Sequence, residues 1–487
     1  MLLFYIARAL NPSGFGLYAI AIAFSQILGL GGNFGVGTAF RKRLPEKGAA
    51  EKSRSKLLSN GYFITCIVSA VLAAAGVLAS TYLANSIYHN PGMAIPIALA
   101  SASVFFYSLY NITLAALVGN WRVSESAYSN FGYSISQLVL IVGLVSAGYG
   151  IVGAMWGYLL SMAIGFLVGI YFLFKKVKIT AIMPSMREIY DIFAFALPVF
   201  VSNLLNTGVM NFAVVALGAF ATASIVGNYS AAETIGGFVT IIITAISFVI
   251  LPDFSKVMSD KKLSNKIADA YNESVRYTLL LILPMVVLAV ALAVPLMRIL
   301  VSHSYTTAPL YFAIISLGLM LGVIGNYAGT LLVGFGNTKK FMKYQIAILG
   351  VEIILTLALA PIWHAYGVIV AVFIIGSLVS DLLFIKLLKQ DFKINMEYGS
   401  FASIVASNIL LGIILVGAAL MSGNSYLSIP IDVAIALLIY PPIMARFGSV
   451  DDQAIGLIRN ATKGIPVLSE AANAMAAYTE MFLPKKG

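Results

Sequence analysis

The chain has 487 residues, 60% of them hydrophobic and only 10% charged, and a mean hydropathy of +0.95. A water-soluble chain of this size needs far more charge to cover its surface, so composition excludes a soluble enzyme or binding domain and implies a polytopic membrane protein. The formal charge of +11 reads as a topology signal and an attraction for anionic headgroups, not as a nucleic-acid footprint.

In chain order, hydrophobic spans are predicted near 1–10, 15–37, 57–83, 94–118, 128–147 and 150–174. A second set follows near 193–219, 228–251, 276–300, 309–333, 344–362 and 364–386, with two more near 401–421 and 427–446. The expected fold is therefore all-α with about fourteen transmembrane helices. The first is truncated, because residues 1–10 as a helix cover only about 15 Å; the true start is expected upstream. The expected organisation is an N-terminal six-helix lobe (1–174), a second six-helix lobe (193–386), two extra helices (401–446) and a cytoplasmic amphipathic tail (450–487).

All of the 30 Lys and Arg except Arg8 and Arg298 lie in loops that follow even-numbered spans, or in the tail. By the positive-inside rule that side is cytoplasmic, which places both termini in the cytoplasm and the protein in the cell membrane. Two polar stretches carry an apolar face expected to lie on the membrane surface. One is built on Leu263, Ile267, Ala270 and Tyr271, the other on Leu468, Ala471, Met475, Tyr478 and Phe482. Cys66, the only cysteine, excludes internal disulfides and is expected to be a small core residue.

Several apparent motifs carry no chemistry at this level. The run Gly29-Leu30-Gly31-Gly32-Asn33-Phe34-Gly35-Val36-Gly37 ends a membrane helix instead of joining a strand to a helix, so phosphate cradling lacks its usual context. No Gly-Lys-Ser/Thr exists to power an ATP-driven pump. His89, His303 and His364 are scattered over outer loops without ligand spacing, so no metal site is expected. No cofactor is implied, and no sizeable loop carries paired Asp residues for a glycosyltransferase.

The chain repeats itself. Gly16-x-Tyr18-x-x-Ala21 returns as Gly227-x-Tyr229-x-x-Ala232, Leu117-Val118-Gly119 as Leu332-Val333-Gly334, and Tyr149-Gly150-Ile151-Val152-x-Ala154 as Tyr366-Gly367-Val368-Ile369-x-Ala371. Three anchors in one order imply two homologous halves inserted the same way round.

The stretch Arg8-Ala-Leu-Asn-Pro-Ser-Gly-Phe-Gly16-Leu-Tyr18-Ala-Ile-Ala21, with Asn33-Phe-Gly35-Val-Gly-Thr-Ala39-Phe-Arg41, resembles the opening of polysaccharide flippases of the multidrug/oligosaccharidyl-lipid/polysaccharide exporter superfamily. The segment Gly218 to Ser255 resembles their second half. The resemblance implies two six-helix lobes around a central cavity that opens alternately to either side, with two extra helices in the polysaccharide branch. It also implies a transporter, not an enzyme, that flips a polyprenyl-pyrophosphate-linked oligosaccharide by alternating access for surface glycan synthesis. Its partners would be the lipid-linked substrate, membrane lipids and glycan-assembly enzymes. A multidrug or metabolite exporter of the same fold is the alternative, and a membrane-embedded glycosyltransferase or polymerase a third reading, opposed by the lack of large polar loops.

In similar proteins the cavity walls come from the first two helices of each lobe, which makes Arg8, Gln26, Asn33, Asn203, Asn206 and Glu233 candidate substrate-binding residues. Arg8 would supply a cation for the pyrophosphate, since a guanidinium binds phosphate oxygens bidentately and stays charged in a dry site. Glu233 and Glu352 are costly inside spans and so are site candidates by default; the competing reading is an interhelical hydrogen bond. Glu352 and Asn211 are expected as candidates for a coupling or structural role. The family often carries acids where Asn33 and Asn211 stand, and an amide does not exchange a proton at physiological pH.

Overall fold

A computed structural model describes residues 2–45, 51–177, 185–203, 208–238, 240, 267–334, 337–391, 394–423, 426, 428–450, 455–456 and 466–483. Among the described residues the secondary structure is helical, with no strand. The helices are α1 (Leu2–Asn33), α2 (Val36–Arg43), α3 (Glu51–Tyr82), α4 (Ala94–Gly119), α5 (Val123–Leu144), α6 (Gly150–Lys176), α7 (Met186–Asn203) and α8 (Val209–Phe220). After α9 (223–238) come α10 (Ile267–Ala291), α11 (Ala293–Leu300), α12 (Ala308–Leu321), α13 (Val323–Gly334), α14 (Thr338–Ile369), α15 (Ser377–Asp391), α16 (Tyr398–Met421), α17 (Ser428–Arg446) and α18 (Pro466–Glu480).

Among the described residues eight segments are long and apolar enough to cross a membrane, nine if α12 and α13, bent by 42°, form one broken span. Two of the eight run 54 and 52 residues, about 80 Å as straight helix against a hydrocarbon core of about 30 Å. Each must cross twice, and each carries the reversal that allows it: Gly148 and Gly150 at φ 90° and 53° in one, His364 at φ 49° in the other. Helix α1 is likewise two helices joined at Asn11 (φ 57°, ψ 173°), followed by Pro12. This break separates the short first span from the second.

The chain forms two compact units, Met1–Ser230 with Glu352–Val368, and Ala231–Val351 with Ile369–Gly487. In the first, α4 packs on α1, α3 and α6, and α6 packs on α5. Small residues let these backbones approach: a Cβ on Gly157 would meet the Ile141 backbone at 2.9 Å, and one on Gly169 would meet Ser129 Oγ at 2.8 Å. Buried and half-buried hydroxyls join the helices, with Ser25 and Ser103 at 3.1 Å, Tyr62 and Thr113 at 2.7 Å, and Ser129 donating to Gly165 O at 2.8 Å. With no hydrophobic drive between helices in lipid, such close packing and side-chain hydrogen bonds hold the bundle.

One contact in this unit ties the two sequence repeats together. A Cβ on Gly16 would lie 1.8 Å from Ala223 O, and a Cβ on Gly227 would lie 1.9 Å from Pro12 O. The offset of 211 that carries Gly16 to Gly227 also carries Pro12 to Ala223, so the contact is reciprocal.

In the second unit α10 packs on α12, α16 and α17, and α13 packs on α15. Tyr271, expected on a membrane-surface helix, is instead fully buried in the first turns of α10 and donates to Ile324 O at 2.8 Å. Leu263 of that expected face lies outside the described residues. The tail helix α18 docks on α17: Ala476 and Thr479 are buried, and Tyr478 Oη donates to Leu438 O at 3.1 Å. Leu438 O is the carbonyl that Pro442 leaves without its helical donor, because proline has no N–H; α17 carries Pro441 and Pro442 in its interior. Cys66 is exposed, not a core residue. It shares the outer face of α3 with exposed Phe63, Ile67 and Val71, a face suited to lipid.

Candidate functional site

The glycine run that ends α1 builds a polar concavity. Helix α1 stops at Asn33, and the chain turns through two left-handed residues, Phe34 (φ 35°) and Gly35 (φ 74°), before α2 begins at Val36. Glycine takes this conformation freely, whereas phenylalanine does so only when its surroundings hold it. The Phe34 ring stacks on Phe200 of α7 at 4.4 Å. A Cβ on Gly35 would lie 2.6 Å from Ala196 O of the same helix. On the other side Gly29 packs against the Tyr107 ring and Gly32 against Ser108 Oγ, with virtual Cβ distances of 2.8 and 2.3 Å. The run thus seats α4 and α7 against a helix break.

Between these elements lies a cavity of about 250 Å³. Its polar lining comes from Asn33, Thr38, Arg41, Tyr107 and Asn111, with the backbones of Gly35 and Gly37 forming part of the wall. The Asn111 amide donates to Tyr107 O at 2.9 Å. Asn33 Oδ1 is buried with no hydrogen-bond partner. Arg41 is exposed at the rim, and the lining includes a cation but no acid. Chemically the lining offers the Arg41 guanidinium as a charged donor and the unpaired Asn33 Oδ1 as an acceptor, suited to an anion with a hydroxyl beside it.

Of the residues singled out from sequence, the pocket contains Asn33. Arg8 is exposed on the short first segment of α1, and Gln26 is half-buried midway along its second. Asn203 ends α7 with its side chain outside the described residues, as is all of Asn206. Asn211 is half-buried in α8, Glu233 in α9 and Glu352 in α14. Arg41, which closes the motif that carries the resemblance but is not among the site residues expected from sequence, joins Asn33 at the pocket.

Sequence reasoning passed over two buried acids that the cost of ionisable groups inside spans would have flagged. Asp381 of α15 is 8% exposed, and its Oδ1 accepts from Gly325 N at 2.7 Å. It thereby satisfies an N–H in the first turn of α13, where the broken span α12–α13 restarts and no helical acceptor exists. Asp432 of α17 is fully buried, with neither carboxylate oxygen paired.

Comparison with known proteins gives the following. Residues 5–310 match the polysaccharide biosynthesis protein family. A relative from Haloferax volcanii, described as a probable low-salt glycan biosynthesis flippase, Agl15, is 21% identical over 467 residues, covering 95% of this chain and 94% of its own. The structure of lipid II flippase MurJ in an inward closed conformation superposes with a TM-score of 0.73 at 16% identity, over 92% of this chain and 96% of that one. A multidrug resistance MATE family transporter of the MOP superfamily, inward-facing, gives 0.64 at 19% identity over 80% and 94%. At these identities the structural likeness is one of fold.

Proposed function

The chain belongs to the polysaccharide biosynthesis protein family, and from that premise we propose that it flips a lipid-linked oligosaccharide across the cell membrane by alternating access. The physical problem is a hydrated glycan and a pyrophosphate that cannot enter hydrocarbon, on a lipid tail that can stay there. A polar recess inside an apolar helical body answers it. The head enters the recess, the tail remains in lipid, and the helices around it rearrange to expose the head on the other side. The observation that carries this reading is the polar, cation-bearing cavity within helices whose outer faces are apolar. A relative named for glycan flipping along nearly the whole chain supports it. The wider likeness to a lipid II flippase than to a multidrug transporter favours it over drug export.

The protein acts as a transporter without a catalytic site, with both termini in the cytoplasm. The reciprocal contact of Gly16 and Gly227 supports two homologous halves related by an axis along the membrane normal. Arg8, Gln26, Asn33, Asn203, Asn206 and Glu233 line the substrate path, while Glu352 and Asn211 serve structure or coupling. Its partners are the lipid-linked glycan, membrane lipids and the enzymes that assemble the glycan. The test is flipping of a polyprenyl-diphosphate oligosaccharide in proteoliposomes, followed by glycan export in a strain that depends on this protein. Arg8→Ala should abolish both, Arg8→Lys should retain part, and Arg298→Ala should be mild. Wild-type protein that moves no lipid-linked glycan but extrudes amphipathic cations would replace this reading with drug export.

A further inference from the structure

We propose that the cavity at the end of α1 is a sugar-phosphate subsite, in which Arg41 and the first turn of α2 take a phosphoryl group while Asn33 takes a hydroxyl of the adjoining sugar. The inference rests on the flippase reading for the identity of the ligand, but its chemistry is local. Three independent features converge on the cavity.

The first is charge. Arg41 lies one helical turn beyond Gly37, on the same face of α2, and among the lining residues there is no carboxylate to neutralise it. A guanidinium at the rim presents paired donors to phosphate oxygens.

The second is the helix start. Within α2, Thr38 N and Ala39 N are directed to Gly35 O, at 3.0 and 3.3 Å. The first-turn N–H groups of Val36 and Gly37 have no acceptor inside the helix, and Gly37 lines the cavity with no side chain to cover its backbone. Free N–H groups and the positive end of a helix favour an anion. The glycine run set aside for lacking a strand-to-helix turn provides the equivalent in a helix-to-helix turn, with Gly35 as its left-handed residue.

The third feature specifies more than an anion. Asn33 Oδ1 is a buried acceptor without a donor, and a fully ionised phosphate has no hydrogen to give it. A sugar attached to that phosphate does. A ligand carrying acceptor oxygens and a hydroxyl side by side satisfies both walls of one small cavity.

An anionic phospholipid headgroup shares part of this chemistry, so the experiment separates the sources. Full-length protein in phosphatidylcholine nanodiscs is titrated with a short-chain polyprenyl diphosphate bearing one hexose, with the same diphosphate lacking sugar, and with phosphatidylglycerol. Wild type should bind the sugar-bearing probe most tightly and phosphatidylglycerol least. Arg41→Gln should weaken both diphosphates by about tenfold or more, the scale of one charge-assisted hydrogen bond, and Arg41→Lys should restore part. Asn33→Leu should abolish the preference for the sugar-bearing probe and leave the sugar-free one unchanged. Lys42→Gln removes the same charge outside the cavity and should bind as wild type, with thermal unfolding confirming that each variant is folded. Equal weakening by Lys42→Gln, unchanged binding by folded Arg41→Gln, or phosphatidylglycerol binding as tightly as the diphosphates would each overturn the proposal. Flipping is measured separately. Arg41-dependent binding without wild-type flipping would sink the flippase reading and spare the subsite, whereas flipping that is indifferent to Arg41→Gln and Asn33→Leu would do the reverse.

Discussion

Replacing Gly16 by alanine should selectively disfavour the arrangement in which α1 and α9 touch. The new methyl carbon would sit 1.8 Å from Ala223 O and 2.8 Å from Gly227 N. Both are backbone atoms, which cannot swing aside as a side chain would. Relief requires the helices to part by more than about 1 Å, and overpacking of this kind costs about 1–3 kcal/mol. At the upper end the touching state loses roughly a hundredfold in population against any state in which the helices have separated. The readout is the labelling rate of a single thiol at Ser230→Cys in a Cys66→Ser background, using a membrane-impermeant maleimide; Ser230 is 6% exposed. Labelling should be slow in the parent and markedly faster with Gly16→Ala or Gly227→Ala. The double variant should add little, because both methyls compete for one space. Gly143→Ala is the matched control, since a Cβ there meets nothing within 4 Å. Unchanged labelling in Gly16→Ala, with unfolding temperature and transport as in the parent, would show that the two backbones have room to spare and refute the reasoning.

Three further expectations follow from other contacts. Asp381→Leu strands the Gly325 N–H at a buried helix start and should destabilise purified protein by about 1–3 kcal/mol, whereas Asp381→Asn keeps an acceptor and should lose less; thermal unfolding decides. Tyr478→Phe removes the hydroxyl on Leu438 O, which should cost about 0.5–1.5 kcal/mol and raise hydrogen exchange across α18, while an unchanged exchange pattern would deny that this bond docks the helix. Cysteines replacing Ser86 and Ser422 should label from outside the cell and one replacing Ser53 should not, and external labelling at Ser53 would invert the proposed topology.

Membrane character and helix boundaries such as 94–118 against the observed Ala94–Gly119 were legible because hydropathy is local and lipid admits few backbone solutions. Features set by remote partners were not. Nothing near Gly35 announces that Ala196 O will press against it, so the glycine run read as a helix end and not as the wall of a pocket. Tyr271 looked interfacial because its polar neighbours dominate the local pattern, yet its ring packs against helices dozens of residues away. Cys66 looked like core because an apolar run does not say which face meets lipid and which meets protein. Asp381 and Asp432 were visible in principle, each an acid within an apolar span, and were lost among neighbours of high hydropathy. The candidate site was therefore half legible: Asn33 emerged from the resemblance, while Arg41 was hidden among the many cations that set topology.

The docking of α18 on α17 has a mechanical consequence. Two adjacent prolines remove two successive rungs from the C-terminal half of α17, and a rod weakened at one level bends there first. Tyr478 and the buried face around Ala476 lie across the weakened level as a splint lies across a joint. Stiffness in this part of the second unit is then lent by a segment more than thirty residues further along the chain. Modification of the Tyr478 hydroxyl, or a cut between α17 and α18 followed by release of α18, would leave the apolar faces intact and change the flexural compliance of the helix.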